Sequence, residues 1–221
     1  VSFKLHKGEI LGIGGLTDCV MHDLGKVLFG IEKPLYGSVK LGDGTKIKNA
    51  KQAIKNKIGY VSKNRDQEAL ILSASILDNT VLPSLSMIAK AGLVFKTAEK
   101  RFTQKQVQNM SIKCREIGQD VRDLSGGNKQ KVVFGKWLGN ESQIFILDCP
   151  TRGIDIGVKA FMYQLMYQLK EEGKSILMIS EELPELIGMS DRILIMKDGK
   201  IQKEFERSQN LNESVLIKEM V

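Results

Sequence analysis

Ser125, Gly126 and Gly127 form the part of this chain best suited to hold an anion, and Asn128, Lys129, Gln130 and Lys131 follow them directly. Serine is a good N-cap, and paired glycines let backbone N–H groups approach a bound anion closely. A helix that begins there also presents its positive dipole end. Phosphate is the ligand class this suits. A second chemical position follows the apolar run Ile144, Phe145, Ile146, Leu147, which ends in Asp148 and Cys149. That is the mark of a buried parallel strand delivering a carboxylate at its C-terminal end, where α/β folds place ligands. Cys149 has no neighbouring histidine in sequence to activate it, so a nucleophilic role is not expected.

These residues need a scaffold, and the chain alternates the signals for one. Residues 1–5 alternate apolar and polar side chains, as an edge strand would. Gly8 and Glu9 mark a turn, and Ile10, Leu11, Gly12 and Ile13 read as a short buried strand ending at Gly14 and Gly15. A helix is predicted from Asp23 to Phe29, closed by Gly30. Strand and turn signals over residues 36–47 suggest a small antiparallel sheet, and residues 58–61 another buried strand. Between Gln67 and Asp123 strand signals fade, while Ile76, Leu77, Val81 and Leu82, and more loosely Phe102, Val107 and Met110, recur at helical spacing. This predicts a helical subdomain inserted into an α/β core. Val132, Val133, Trp137 and Leu138 keep helical period to Gly139. Val158, Phe161, Met162, Leu165, Met166 and Leu169 form a core-facing stripe closed by Gly173. Residues 176–179 and 193–196 are further buried strands, and Asp198-Gly199 makes a hairpin turn into residues 201–205. Strands alternating with helices imply a mostly parallel sheet covered on both faces.

The 221 residues carry 33 Lys and Arg against 26 Asp and Glu, a net charge of +7. The charges are scattered and no basic run is interleaved with aromatics, so a lysine-rich surface is expected and nucleic acid is not. Cys19, Cys114 and Cys149 are odd in number and widely spaced, which argues against a disulfide framework or a cysteine metal motif and for a reducing compartment. No apolar stretch approaches the roughly 20 residues that span a bilayer. The chain starts at Val1 without methionine and enters strand-like sequence at once, which reads as a piece of a longer polypeptide.

Leu124 to Lys131 resembles the signature motif of ATP-binding-cassette (ABC) transporter ATPases. The similarity extends over nearly the whole chain. The residues 128–131, 150–157 (Pro-Thr-Arg-Gly-Ile-Asp-Ile-Gly) and 182–186 (Glu-Leu-Pro-Glu-Leu) give it the flavour of the second, degenerate ATPase domain in the duplicated ATPases of ribose-, galactose- and xylose-type importers. Each string is weak alone; in this order and spacing they are specific. The resemblance implies an α/β fold of P-loop NTPase type: a mostly parallel sheet core, a small antiparallel β subdomain and an inserted helical subdomain. The expected divisions are residues 1–66 (first part of the core, with the β subdomain and P-loop), 67–123 (helical subdomain) and 124–221 (signature motif and second part of the core). It also implies that ATP with Mg²⁺ is sandwiched between two such domains, one supplying a P-loop and the other its signature.

The P-loop frame G-x-x-x-x-G-K-[ST] falls on residues 15–22. Gly15 matches, but Val20 stands at the second glycine, Met21 at the lysine and His22 at the magnesium-binding hydroxyl. A β-branched valine disfavours positive φ, methionine cannot donate a charged hydrogen bond to phosphate, and imidazole is a poor ligand for hard Mg²⁺. Asp18 adds a negative charge near where phosphates would lie. Lys26, one helical turn on, is directed away and does not substitute. Asp148 matches the Walker B aspartate, a weak or unused metal ligand here. Cys149 replaces the general-base glutamate, Lys63 stands at the Q-loop position and Glu181 at the switch-histidine position. Asp155 matches the loop aspartate that communicates between sites, and Asp is equally a natural N-cap for the helix after it. No catalytic residue is intact, so the domain by itself is expected to be inactive.

Two functions from different classes follow. In the first, the domain leaves its own site empty and lends Ser125, Gly126, Gly127 and Asn128 to ATP held by a partner domain, the N-terminal half of the same polypeptide. That subunit would energise a transmembrane permease fed by a sugar-binding protein, at the cytoplasmic face of the membrane, with the permease contact around residues 62–79. In the second, it is a regulatory or scaffold module that docks on the permease and binds no nucleotide. An active ATPase with an unusual P-loop is disfavoured, because phosphoryl transfer depends on positioned charge and the lysine, metal ligand and base are compromised together.

Overall fold

The longest apolar runs of the chain become the centre of one sheet. In the computed structural model, which describes residues 1–16 and 20–220, β1 is Ile10–Gly15, β2 Val39–Lys40, β3 Lys46–Ile47, β4 Ile58–Val61, β5 Ile144–Asp148, β6 Ser175–Ile179, β7 Arg192–Lys197 and β8 Lys200–Glu206. Every residue of β4 and β6 is buried, as are nearly all of β1 and β5. Strands without polar alternation must be covered on both faces, the condition of a parallel sheet. The order is β4-β5-β6-β1-β7-β8, parallel throughout except for the final hairpin. Asp198 and Gly199 both have positive φ (48° and 70°), as a type I′ turn requires, and β8 returns antiparallel to β7. β2 and β3 form the small antiparallel sheet expected over residues 36–47. The α/β class and its mostly parallel sheet are as the sequence predicts.

Helices are α1 Met21–Phe29, α2 Ala50–Lys55, α3 Ile76–Val81, α4 Leu85–Ile88, α5 Lys96–Asn109, α6 Gly126–Gly139, α7 Ile156–Glu171, α8 Leu183–Met189 and α9 Glu213–Ile217. The sheet belongs to a unit made of Val1–Lys63, Gln143–Pro150 and Ala160–Val221; Asn64–Ser142 and Thr151–Lys159 form a second compact unit. In the first unit α1 lies close on the sheet because Gly25 faces it. A Cβ there would stand 3.1 Å from Ile179 and 3.3 Å from Tyr60. Gly30 ends the helix in the left-handed region at φ 80°. The stripe on α7 buries Met162, Met166 and Leu169 fully and Val158, Phe161 and Leu165 in part.

Two local expectations differ. Residues 1–5 form no strand: alternation secures one only where a neighbouring backbone accepts its ladder, and here Arg192 takes the Lys4 carbonyl instead. Helix α1 starts at Met21, two residues before the predicted Asp23, because Met21 is fully buried rather than part of a loop.

The second unit holds α3, α5 and α6 around Ile76, Met110, Val121, Val132, Val133 and Phe134, all buried. A costly buried charge lies on α6. The Lys136 ammonium donates to the Ala69 carbonyl at 2.5 Å and lies 5.3 Å over the Trp137 ring. Burial pushes its pKa from 10.5 down to about 8, roughly 3 kcal/mol against the charged form. The unfolded amine stays protonated up to its ordinary value, whereas the folded one releases its proton at about 8. Between those values the unfolded amine binds more protons, so the contribution of Lys136 to stability rises with pH, against the opposite contribution of the buried Cys149 thiol above its ordinary value. In urea unfolding, the stability difference between the parent and Lys136→Met should grow in the parent's favour as pH rises across that window.

Candidate functional site

Four adjacent strands each deliver one polar residue at the C-terminal edge of the sheet. Lys63 follows β4 by two residues, Asp148 ends β5, Glu181 follows β6 by two residues, and His22 stands on the first turn of α1 after the loop from β1. Their side chains meet. His22 Nδ1 lies 2.6 Å from Asp148 Oδ1, and His22 Nε2 lies 3.1 Å from Lys63 Nζ and 3.3 Å from Glu181 Oε1. Lys63 Nζ donates to Glu181 Oε1 at 2.6 Å. His22 Nδ1–H donates to Asp148, and Nε2 accepts from Lys63. The hydrogen bond from Lys63 holds the Glu181 carboxyl below its ordinary range, with burial opposing and the Lys63 charge adding to it.

Asp148 is 1% exposed, so its carboxylate requires a hydrogen-bond partner, and His22 Nδ1–H supplies one. Cys149, beside it, is also buried, and its sulfur lies within 4.8 Å of a His22 ring nitrogen and an Asp148 oxygen. Burial first, and then the Asp148 charge, push the thiol up to about 12. The thiol is therefore neutral near pH 7, neither a nucleophile nor a base, although the fold does bring a histidine near it.

At the N-cap of α1 the backbone departs from what the valine side chain favours. Val20 adopts φ 57° and ψ 21°, the left-handed region that glycine favours and valine resists. Met21 at the lysine position is fully buried. Gly15 ends β1, and Asp18 lies outside the described residues. Magnesium requires oxygen ligands in near-octahedral array. An imidazole, a thiol and a neighbouring ammonium do not fit that requirement, and Asp148 is already engaged.

In the second unit Ser125 caps α6. Its hydroxyl oxygen accepts from the Asn128 N–H at 3.4 Å and Nδ2 at 3.0 Å, which leaves the hydroxyl proton available to an anion. Ser125 is exposed, Gly126 half-buried and Gly127 buried. A Cβ on Gly127 would stand 2.7 Å from Val158 Cγ2, so only glycine allows α6 this approach to the start of α7. The Asn128 side-chain oxygen accepts from the Lys113 N–H at 2.8 Å. Asp155 accepts from the Val158 N–H at 3.0 Å and so caps α7. Arg65, which carries no sequence signal, donates to the Arg152 and Gly153 carbonyls at 3.0 and 3.1 Å. It thereby places a guanidinium beside Gly126. The sequence-predicted residues thus fall in two places: Lys63, His22, Asp148, Cys149 and Glu181 together in the first unit, and Ser125, Gly126, Gly127, Asn128 and Asp155 in the second.

Proteins of known kind are similar to this chain in sequence and in fold. The chain is 40% identical over 217 residues to a ribose import ATP-binding protein RbsA of Bacillus cereus, covering 98% of the chain and 44% of that protein. It is 42% identical over 217 residues to the protein of the same name in Streptococcus agalactiae serotype Ia, with the same coverage. The chain thus spans less than half the length of these relatives. Among solved structures, the dimeric post-hydrolysis state of the ATP-binding cassette MJ0796 bound to ADP and Pi superposes with a TM-score of 0.80 at 22% identity, over 94% of this chain and 89% of that one. A nucleotide-free cassette from an ABC transporter gives 0.77 at 19% identity, over 100% and 87%. Residues 1–152 match the family model for ABC transporters. With that match over most of the chain and the cassette fold, the chain belongs to the ABC transporter family.

Proposed function

We propose that this chain is the second, degenerate ATPase domain of a duplicated ATP-binding subunit that energises a sugar importer of the ribose type. The observation that carries this reading is the Lys63–His22–Asp148–Glu181 network. Where the family holds a cation and the end of a nucleotide, this domain places its own ammonium, paired with Glu181, and its own imidazole, hydrogen-bonded to Asp148. The domain therefore turns over no ATP in its own site. The end of α6 carries no such change. The Ser125 hydroxyl and the N–H groups of Gly126 and Gly127 donate to the terminal phosphate of ATP held by the partner ATPase domain, where they need supply only positioned donors and the helix dipole. The subunit works at the cytoplasmic face of the membrane on a transmembrane permease, with a sugar-binding protein delivering the cargo; among the described residues no helix is long and apolar enough to cross a membrane.

Calorimetric titration of the chain with ATP and Mg²⁺ tests the closed site. Binding no tighter than roughly millimolar, about 4 kcal/mol, is expected. Micromolar affinity would sink the reading.

A further inference from the structure

We infer that His22, Asp148 and Cys149 form a binding site for a zinc-class transition metal, set where the family's hard-cation chemistry has been lost; this rests on the reading of that site as degenerate. The donor set is the first argument. One imidazole nitrogen, one carboxylate oxygen and one sulfur converge within 4.8 Å. Nitrogen, oxygen and sulfur together are a typical zinc set, whereas magnesium takes oxygen almost exclusively. Zinc bond lengths of about 2.0–2.3 Å put ligand atoms roughly 3.3–3.8 Å apart in a tetrahedron. His22 Nδ1 and Asp148 Oδ1, now 2.6 Å apart, would separate by about 1 Å, and the widest pair would close by a similar amount.

The surroundings are the second argument. Metal-bound histidines generally donate their other ring N–H to a carboxylate, which fixes tautomer and ring orientation. Glu181 Oε1 already stands 3.3 Å from His22 Nε2, and Lys63 holds that carboxylate in place at 2.6 Å. When the metal enters, bonds form to Nδ1, to an Asp148 oxygen and to the Cys149 sulfur. The imidazole proton moves from Nδ1 to Nε2, which gives up the hydrogen bond it accepts from Lys63 and donates to Glu181 instead; Lys63 keeps its bond to the same carboxylate, and the thiol proton leaves to solvent. Carboxylate and thiolate then cancel the two positive charges of the ion, and Lys63 cancels Glu181, so no net charge is buried. Three protein ligands leave one coordination position open.

Cobalt(II) is the probe, titrated into the 221-residue chain after chelator treatment. Expected are intense tetrahedral d–d bands and a thiolate-to-cobalt charge-transfer band, bleached by Zn²⁺ and untouched by excess Mg²⁺. Cys149→Ser should remove the charge-transfer band. Glu181→Gln should weaken binding about 10- to 100-fold by releasing the His22 ring. A parent spectrum without the thiolate band overturns the inference, and so does a band that survives Cys149→Ser, since the thiol would then be Cys19 or Cys114. ATP and Mg²⁺ titrated into the same sample separate the two levels. Micromolar nucleotide binding rejects the degenerate-site reading, whereas no nucleotide binding and no thiolate band reject the metal site alone.

Discussion

Ser125→Ala combined with Gly126→Asp, made in the full-length ATP-binding subunit, should lower ATP turnover by the partner domain at least about 100-fold, the usual consequence of losing a preorganised donor to a developing charge. The first change deletes the hydroxyl that caps α6. The second puts a side chain where a Cβ would already stand 3.0 Å from Arg65 Nη2 and 3.2 Å from the Gly153 carbonyl, and sets a carboxylate against the phosphate. Loss of the cap costs about 1 kcal/mol of helix stability, and Ser125→Ala alone, which adds no side chain, separates the catalytic loss from any cost of fitting the Gly126→Asp side chain. Steady-state hydrolysis in the assembled transporter is the measurement. Unchanged turnover would reject the in-trans role and favour the scaffold function, in which the domain docks on the permease without touching nucleotide.

Gly30→Ala should destabilise the first unit by roughly 2–5 kcal/mol, a large share of the roughly 5–15 kcal/mol that holds a domain folded. Two penalties combine. Gly30 has φ 80°, where an L side chain costs about 1–2 kcal/mol. Its Cβ would also lie 2.6 Å from the Asn49 carbonyl carbon and 2.7 Å from its Cα, which are backbone atoms that cannot rotate away. Gly37 separates the two effects, since it has φ 83° and nothing within 4 Å of a Cβ. Gly37→Ala should therefore show the conformational penalty alone. Urea midpoints read both, and equal shifts at the two positions would mean that the Asn49 segment yields.

The strands of this protein are legible in its sequence because burial on both faces leaves long apolar runs, as over Ile144–Asp148 and Ser175–Ile179. Helix α6 is legible from its cap and its period. Pairing is not: nothing local specifies that β1 lies between β6 and β7. Residues 1–5 show the limit of alternation, which describes a half-buried segment whether or not a ladder partner exists. In the candidate site, each departure from the family pattern is readable one residue at a time, and each reads as a loss. That Lys63 answers Glu181 and His22 answers Asp148 is invisible in sequence, because the partners are 118 and 126 residues apart. Val20 is a further case: side-chain chemistry argues against positive φ, yet Val20 adopts it at the N-cap of α1.

The four members of that network come from four neighbouring strands, β4-β5-β6-β1, and from residues as far apart as 22 and 181. No short stretch of the chain contains a nucleus of it. Closing loops of that length is costly before any contact rewards it, so the ion pairs cannot guide the polypeptide toward its fold and can form only on a sheet already assembled. The network is a late product of folding, and it is complete only when all four strands have found their order.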